Sequence, residues 1–240
     1  RTSLSAGTVV AISNLVGAQN PDGPIEITGP DGDMVESATW EKAPGIVRMT
    51  LKNATVERQR YTVSFTLLNP TTGQESPVVS VQSLDPVAQT LAEIMDSGLG
   101  AAAPLLVVDF FVKEISQTTP VSGALNTIEV KIAAAVMIDS ETDTVITISG
   151  LTGSGTASTD ALPVASDGTV FNSTGVWDQG TGSLAIGVIA DLGTKVNYTM
   201  SFVLVNPLIA QFAVEVQIST SGTAISPSPM VSPGGAAVPL

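Results

Sequence analysis

Tyr198-Thr-Met-Ser-Phe-Val-Leu-Val-Asn-Pro207 decides how this chain is read, because Tyr61-Thr-Val-Ser-Phe-Thr-Leu-Leu-Asn-Pro70 stands 137 positions before it. In both stretches Tyr, Val or Met, Phe and Leu fall on alternate positions with Thr and Ser between them. A period of two predicts a β-strand with one buried face. Asn-Pro then ends the strand, since proline has no N–H for a ladder and restricts the residue before it.

Working outward, Thr8-Val-Val-Ala-Ile-Ser-Asn-Leu-Val-Gly17 matches Thr144-Val-Ile-Thr-Ile-Ser-Gly-Leu-Thr-Gly153 at an offset of 136, a strand running into a turn. Polar loops follow. They hold Asp31-Gly32 and Asp167-Gly168, a dipeptide suited to a tight turn with positive φ. Trp40 and Trp177 stand 137 apart, each followed by an acidic residue, Glu41 or Asp178, and by Gly45 or Gly182. Alternation then predicts strands over 46–51 and 183–188, and a last strand in each repeat over 77–81 and 213–218. The offset changes by one residue between these blocks, which places an indel in a loop, where it costs least.

The second repeat has more than the first. Strands are predicted over 105–115 and 126–136, ahead of Thr144, whereas only seven residues precede Thr8. The first repeat is therefore expected to lack two strands that lie upstream of Arg1 or come from elsewhere. Its exposed edge is a liability that a strand from another chain would cover. Gln89 to Met95 could pass for a helical turn, but its counterpart before Met230 holds Pro227 and Pro229 and reads as an extended connector, and Met95-Asp-Ser-Gly-Leu-Gly-Ala-Ala-Ala-Pro-Leu105 then matches Met230-Val-Ser-Pro-Gly-Gly-Ala-Ala-Val-Pro-Leu240. The expected fold is all-β: tandem immunoglobulin-like β-sandwich domains joined by short extended connectors. A first sandwich without its N-terminal strands takes 1–83, a connector 84–103, a second and complete sandwich 104–220, and a connector with the start of a third repeat 221–240.

Composition narrows function by exclusion. Twenty-two acidic residues against nine basic ones give a net charge of −13, which repels nucleic acid. Cysteine is absent, so neither disulfides nor thiol chemistry exist and the compartment stays open on that score. The absence of histidine rules out Ser-His-Asp and Cys-His catalysis and His-containing zinc sites. The longest apolar runs, over 104–112 and 132–138, are too short to span a bilayer. Three glycosylation acceptors, Asn53-Ala-Thr55, Asn172-Ser-Thr174 and Asn197-Tyr-Thr199, make N-linked glycans an expectation.

The chemistry-bearing residues were weighed against plain structural roles. Asp22, Asp31 and Asp33 share a Gly/Pro-rich loop that offers oxygen ligands to calcium, but turn chemistry and a solvated charge cluster account for them better. Trp40 and Trp177 offer faces on which a sugar stacks, yet recurrence at one repeat position fits a core plug better. Tyr61 and Tyr198 read as strand residues. Carboxylate pairs for a glycosidase lack any diagnostic context. Gly150-Leu-Thr-Gly-Ser-Gly155 lacks the Gly-Lys-Ser/Thr ending of a phosphate loop. No enzymatic activity and no cofactor are expected.

The run Asn126-Thr-Ile-Glu-Val-Lys-Ile, with Thr144 to Gly153, Thr156-Ala-Ser-Thr-Asp-Ala-Leu-Pro, Val176-Trp-Asp-Gln-Gly-Thr-Gly-Ser-Leu and Phe202-Val-Leu-Val-Asn-Pro, resembles the tandem repeats of very large surface proteins of algae and other protists. The resemblance implies an extracellular, glycosylated array of sandwich domains in a cell-surface coat, a fibre or the flagellar hairs called mastigonemes. Its partners would be other copies or neighbouring repeats. The first repeat departs from the pattern over 19–25, where Pro21 and Pro24 replace the Thr-Ala-Ser-Thr-Asp-Ala run. The rival expectation is an adhesion or carbohydrate-binding module pair, which would display Trp40 or Trp177 at the surface.

Overall fold

The computed structural model describes residues 3–84, 90–96, 103–141, 143–166, 169–223 and 225–233. The chain is all-β and divides into two compact units, residues 1–107 and 108–240. Asp167-Gly168 and residues 234–240, where a third repeat was expected to begin, lie outside the described residues.

In the first unit the strands are β1 (Val9–Ser13), β2 (Gly23–Pro24), β3 (Val35–Glu41), β4 (Ile46–Leu51), β5 (Ser80–Ser83) and β6 (Glu93–Ile94). They form one sheet in the order β2-β3-β4-β1-β5-β6. The second unit contains β7 (Phe110–Gln117), β8 (Leu125–Ala134), β9 (Val145–Ser149), β10 (Thr159–Ser166), β11 (Phe171–Asp178), β12 (Ser183–Val188), β13 (Tyr198–Val205), β14 (Gln217–Thr220) and β15 (Ile225–Pro229). Its sheet runs β15-β14-β9-β12-β11-β10-β13-β8-β7. The first six strands of that order are the counterparts, one for one, of β6 back to β2. The remaining three, β13, β8 and β7, are where the units differ.

The long sheet folds over on itself because β10 changes partner along its length. Leu162 and Pro163 pair with β11, whereas Val164 to Ser166 pair with β13. Proline, with no N–H to give, stands at the bend. One apolar core then fills the space between the two arms: Ile128, Val130 and Ile132 of β8 and Met200, Phe202 and Leu204 of β13 pack with Ile146, Ile148, Leu184, Ile186 and Trp177 from the other arm. These inward residues sit on alternate positions, as the period-two pattern requires.

Equivalent locks recur in the two units. Gly45 and Gly182 both hold φ near 63°, and a Cβ there would come within 2.8 Å of Leu15 and 2.5 Å of Leu151 backbone, because the neighbouring turn crosses directly over them. That crossing is fastened by Leu15 N–H to the Gly45 carbonyl and Leu151 N–H to the Gly182 carbonyl, at 2.8 and 2.9 Å. The Tyr61 hydroxyl accepts from Val56 N–H at 2.7 Å, and the Tyr198 hydroxyl from Gly193 N–H at 2.9 Å, each reaching back five residues to brace the turn before its strand. Arg58 and Lys195, three residues before those tyrosines, are both left-handed, at φ 63° and 59°.

Several expectations need correction. Residues 61–70 are extended but form no continuous ladder, and only the bridge between Thr28 and Ser64 is made. As expected for the first repeat, β7 and β8 have no counterpart among the described residues of 1–107. The stretch predicted as one strand over 105–115 is divided: Val107 bridges Gln74 in the first unit, while β7 begins at Phe110. At Asp31-Gly32 the chain makes a short 3-10 turn, Gly32–Met34, and positive φ falls on Gly29. Residues written as connector carry edge strands, β6 and β15, because Met95 N–H and Met230 N–H reach the carbonyls of Val79 and Val216 and draw the chain back onto the sheet.

Two carboxylates tie down exposed turns of the second unit. The Thr181 hydroxyl, then Gly180 N–H, hold the Asp178 carboxyl below its ordinary value, and Ser140, first through its backbone N–H and then its hydroxyl, does the same for Asp191. A carboxyl whose folded value is depressed stabilises the fold above the unfolded value and loses that contribution as pH falls through the folded one. The melting temperature of the second unit should therefore fall as pH drops below 3.8, and a paired Asp178→Asn, Asp191→Asn variant should show a shallower fall in an acid titration followed by tryptophan fluorescence. In urea denaturation at neutral pH followed by circular dichroism, Trp177→Ala should cost about 3–5 kcal/mol and Tyr198→Phe about 0.5–1.5 kcal/mol.

Candidate functional site

Backbone pairing along residues 61–68 defines the site. Thr62 N–H donates to Asp31 Oδ2 at 2.7 Å, Ser64 exchanges two hydrogen bonds with Thr28 at 2.8 Å, and Leu68 N–H donates to Asn20 Oδ1 at 2.6 Å. All the even-numbered residues thus face the 19–31 segment. In an extended strand the N–H and C=O of alternate residues point to opposite edges, so Val63, Phe65 and Leu67 direct theirs to the other edge. In β13 that same edge is covered by β8, which pairs from Tyr198 with Ile132 to Val205 with Leu125.

Side chains tell the same story. Met200, Phe202 and Leu204 are buried, whereas their counterparts Val63, Phe65 and Leu67 are only half-buried and Leu68 is 57% exposed. Two hollows flank the stretch. One of about 190 Å³ is lined by Val10, Met34, Met49, Leu51, Tyr61 and Val63, and the other, of about 410 Å³, by Ile12, Tyr61, Val63, Phe65, Val79 and Met95 with Asp96 at its rim. Both are apolar grooves at a sheet edge with no cluster of reactive groups, which suits β-addition of a chain segment.

The sequence-based candidates fall elsewhere. Trp40 and Trp177 are 2% and 1% exposed, and their indole N–H groups donate to the carbonyls of Asn20 and Thr156 at 3.1 and 2.9 Å. Neither ring offers a face to a sugar. Asp22 accepts from Lys42 N–H, Asp31 is spent on Thr62, and Asp33 is exposed in the 3-10 turn, so the three do not converge. Among the described residues no group of three or more acidic side chains is placed to hold a metal ion. Asn53, Asn172 and Asn197 are all exposed, on the turn after β4, on β11 and just before β13. Among the described residues no helix is long and apolar enough to cross a membrane.

One functional residue escaped the sequence reading. Asn206 marks the end of a strand in the sequence pattern, yet its side chain clamps the β7–β8 hairpin: its amide donates to the carbonyls of Thr119 and Val121, both at 2.9 Å, and its oxygen accepts from Asn126 at 2.8 Å. Asn126, fully buried, accepts in turn from the backbone of Thr118 and Thr119. Asn69, its counterpart, is exposed. The signal was present in the repetition of Asn before Pro, since proline alone would have ended the strand.

Neither a protein-family profile nor a curated protein sequence matches this chain. Solved structures similar to it include the collagen adhesin of S. aureus, at 12% identity over 95% of this chain and 81% of that one, with a TM-score of 0.32. The serine-rich repeat protein Srr2 of Streptococcus agalactiae matches at 10% identity over 91% and 77%, with a TM-score of 0.28. The major pilin SpaA of Corynebacterium diphtheriae matches at 9% identity over 93% of this chain, which spans 63% of the pilin, with a TM-score of 0.34.

The pairing difference between the units predicts a measurable contrast. Amide hydrogens of Val63, Phe65 and Leu67 should exchange at least about tenfold faster than those of Met200, Phe202 and Leu204, as read residue by residue by NMR.

Proposed function

We propose that this chain is a structural segment of an extracellular fibre, flagellar hair or cell-surface coat, built from tandem immunoglobulin-like β-sandwich domains. One observation carries the reading: the two units repeat one architecture, with the same tryptophan anchor, tyrosine brace and glycine crossing on equivalent strands, as a chain built of like structural modules does. Supporting it, the two tryptophans and two tyrosines are consumed in holding the fold, the Tyr61 and Tyr198 hydroxyls in the manner of the tyrosine corner of immunoglobulin-like domains. Without histidine or cysteine, and with buried indoles, no catalytic or cofactor role belongs to the proposal.

The domain limits proposed are those of the repeat, near 136 residues each, with neighbouring repeats of the same or a related chain as partners. Short Pro/Ala/Gly connectors suit a semi-rigid array. Exposed Asn53, Asn172 and Asn197 fit N-linked glycans on an outward surface. A second reading, an adhesion module, is favoured by the 410 Å³ apolar hollow, which has room for a ligand segment. Trp-mediated sugar stacking is not part of it.

Electron microscopy of native material separates the two. The structural reading expects filaments or sheets with an axial repeat of a few nanometres, on the order of one domain; isolated monomers that bind a peptide or glycan would replace it with adhesion. Glycosidase treatment of the same material should lower the mass at peptides holding Asn53, Asn172 or Asn197.

A further inference from the structure

We propose that the edge at residues 61–68 is a receptor for a β-hairpin of the β7–β8 type, which completes the first unit when it is presented ahead of residue 1 and added antiparallel to that edge. The occupant is read from the second unit. There β8 lies on β13 in unbroken register, β7 lies on β8, and the far edge of β7 is met by the chain after β15, where Ile115 N–H donates to the Val231 carbonyl and Val231 N–H to the Lys113 carbonyl, both at 2.9 Å. Two strands therefore fill the slot between β13 and Val231. In the first unit the corresponding borders are residues 61–68 on one side and Met95 and Asp96 on the other, and Tyr61, Thr62, Val63 and Phe65 line the 410 Å³ hollow together with Met95 and Asp96.

The chemistry of the occupant follows. Ile128, Val130 and Ile132, which face Phe202, Met200 and Tyr198, are fully buried, with Glu129 and Lys131 alternating on the opposite face. An alternating strand of that kind would set its apolar residues against Phe65, Val63 and Tyr61. Its backbone would take the N–H and C=O groups that Val63, Phe65 and Leu67 turn outward. At its tip, exposed Asn69 stands where Asn206 clamps the hairpin turn.

The direction of entry is also fixed by equivalence. In the second unit the chain leaving β8 is pinned on its way to β9 by two hydrogen bonds between Ile138 and Leu192, at 3.1 and 3.0 Å. In the first unit the chain approaching β1 is pinned by Leu4 N–H to Thr55 Oγ1 and Thr55 N–H to the Leu4 carbonyl, at 2.8 and 2.9 Å. At the offset of 136 that relates β9 to β1, Val136 corresponds to the position immediately before Arg1. A hairpin tethered there is held beside its groove at high effective concentration, which a separate chain is not.

The proposal rests on the two units sharing one fold, not on where the protein resides, so failure of the fibre reading would leave it standing. Its test duplicates residues 108–136 ahead of Arg1 in the full chain. Hydrogen exchange of Val63, Phe65 and Leu67 is then expected to slow by roughly tenfold or more, and a copy carrying Ile128→Asp and Val130→Asp in the added hairpin should not slow it. Asn69→Ala should be silent in the 240-residue chain but should reduce the new protection roughly tenfold in the extended one, as loss of a buried hydrogen-bonding clamp does. Unchanged exchange in the extended chain would overturn the proposal. So would protection of the same amides in the unextended chain that grows with its concentration as dimers form, since a second copy would then be the occupant.

Discussion

A strand whose side chains are buried must bond its peptide groups along both edges, because an orphaned N–H or C=O removed from water costs as much as the contacts around it return. In the second unit β13 meets that condition, flanked by β10 and β8, and its Met200, Phe202 and Leu204 reach full burial. Among the described residues of the first unit, residues 61–68 meet it on one edge only. Their apolar side chains stop half-way into the core, and two hollows flank them.

What holds despite the open edge is local. Each unit carries its own tryptophan anchor, its own tyrosine brace and a glycine crossing, and each of these bonds residues within or next to the shared six-strand sheet. The first core, around Trp40, Val47, Met49 and Ile12, is accordingly intact on that side. The Asn126–Asn206 clamp belongs to a different layer, since it joins the hairpin tip to the strand end and has meaning only when both are present. Its value is orientation as much as energy: a fully satisfied buried amide pair admits few alternative registers.

Strands with one clean apolar face were legible from alternation, as β4, β8, β9, β12 and β13 illustrate. Alternation does not mark β3, β10 and β11, for a physical reason. Phe171-Asn-Ser-Thr-Gly-Val-Trp-Asp178 is mostly polar, and its strand character comes from lying between β10 and β12, not from its own residues. Likewise the prolines that argued for a free connector at 225–229 are compatible with an edge strand, where a missing N–H faces solvent. Of the candidate residues, the aspartates and tryptophans drew attention by type, while Asn206 was missed because its partners, Thr119, Val121 and Asn126, are some eighty residues away in the chain.

By itself the sequence determined the repeat, the all-β class and the exclusion of histidine- and cysteine-based chemistry, because these depend on residue type and spacing, which covalent order contains. Only the tertiary structure decided that the indoles face inward, that the acidic loop residues do not converge, and that the edge expected to be exposed in the first repeat runs along residues 61–68 while the nearly identical stretch at 198–205 is a paired strand. The last distinction could not be local: the ten residues are almost the same, and what separates them is whether a neighbour occupies the far side of the backbone.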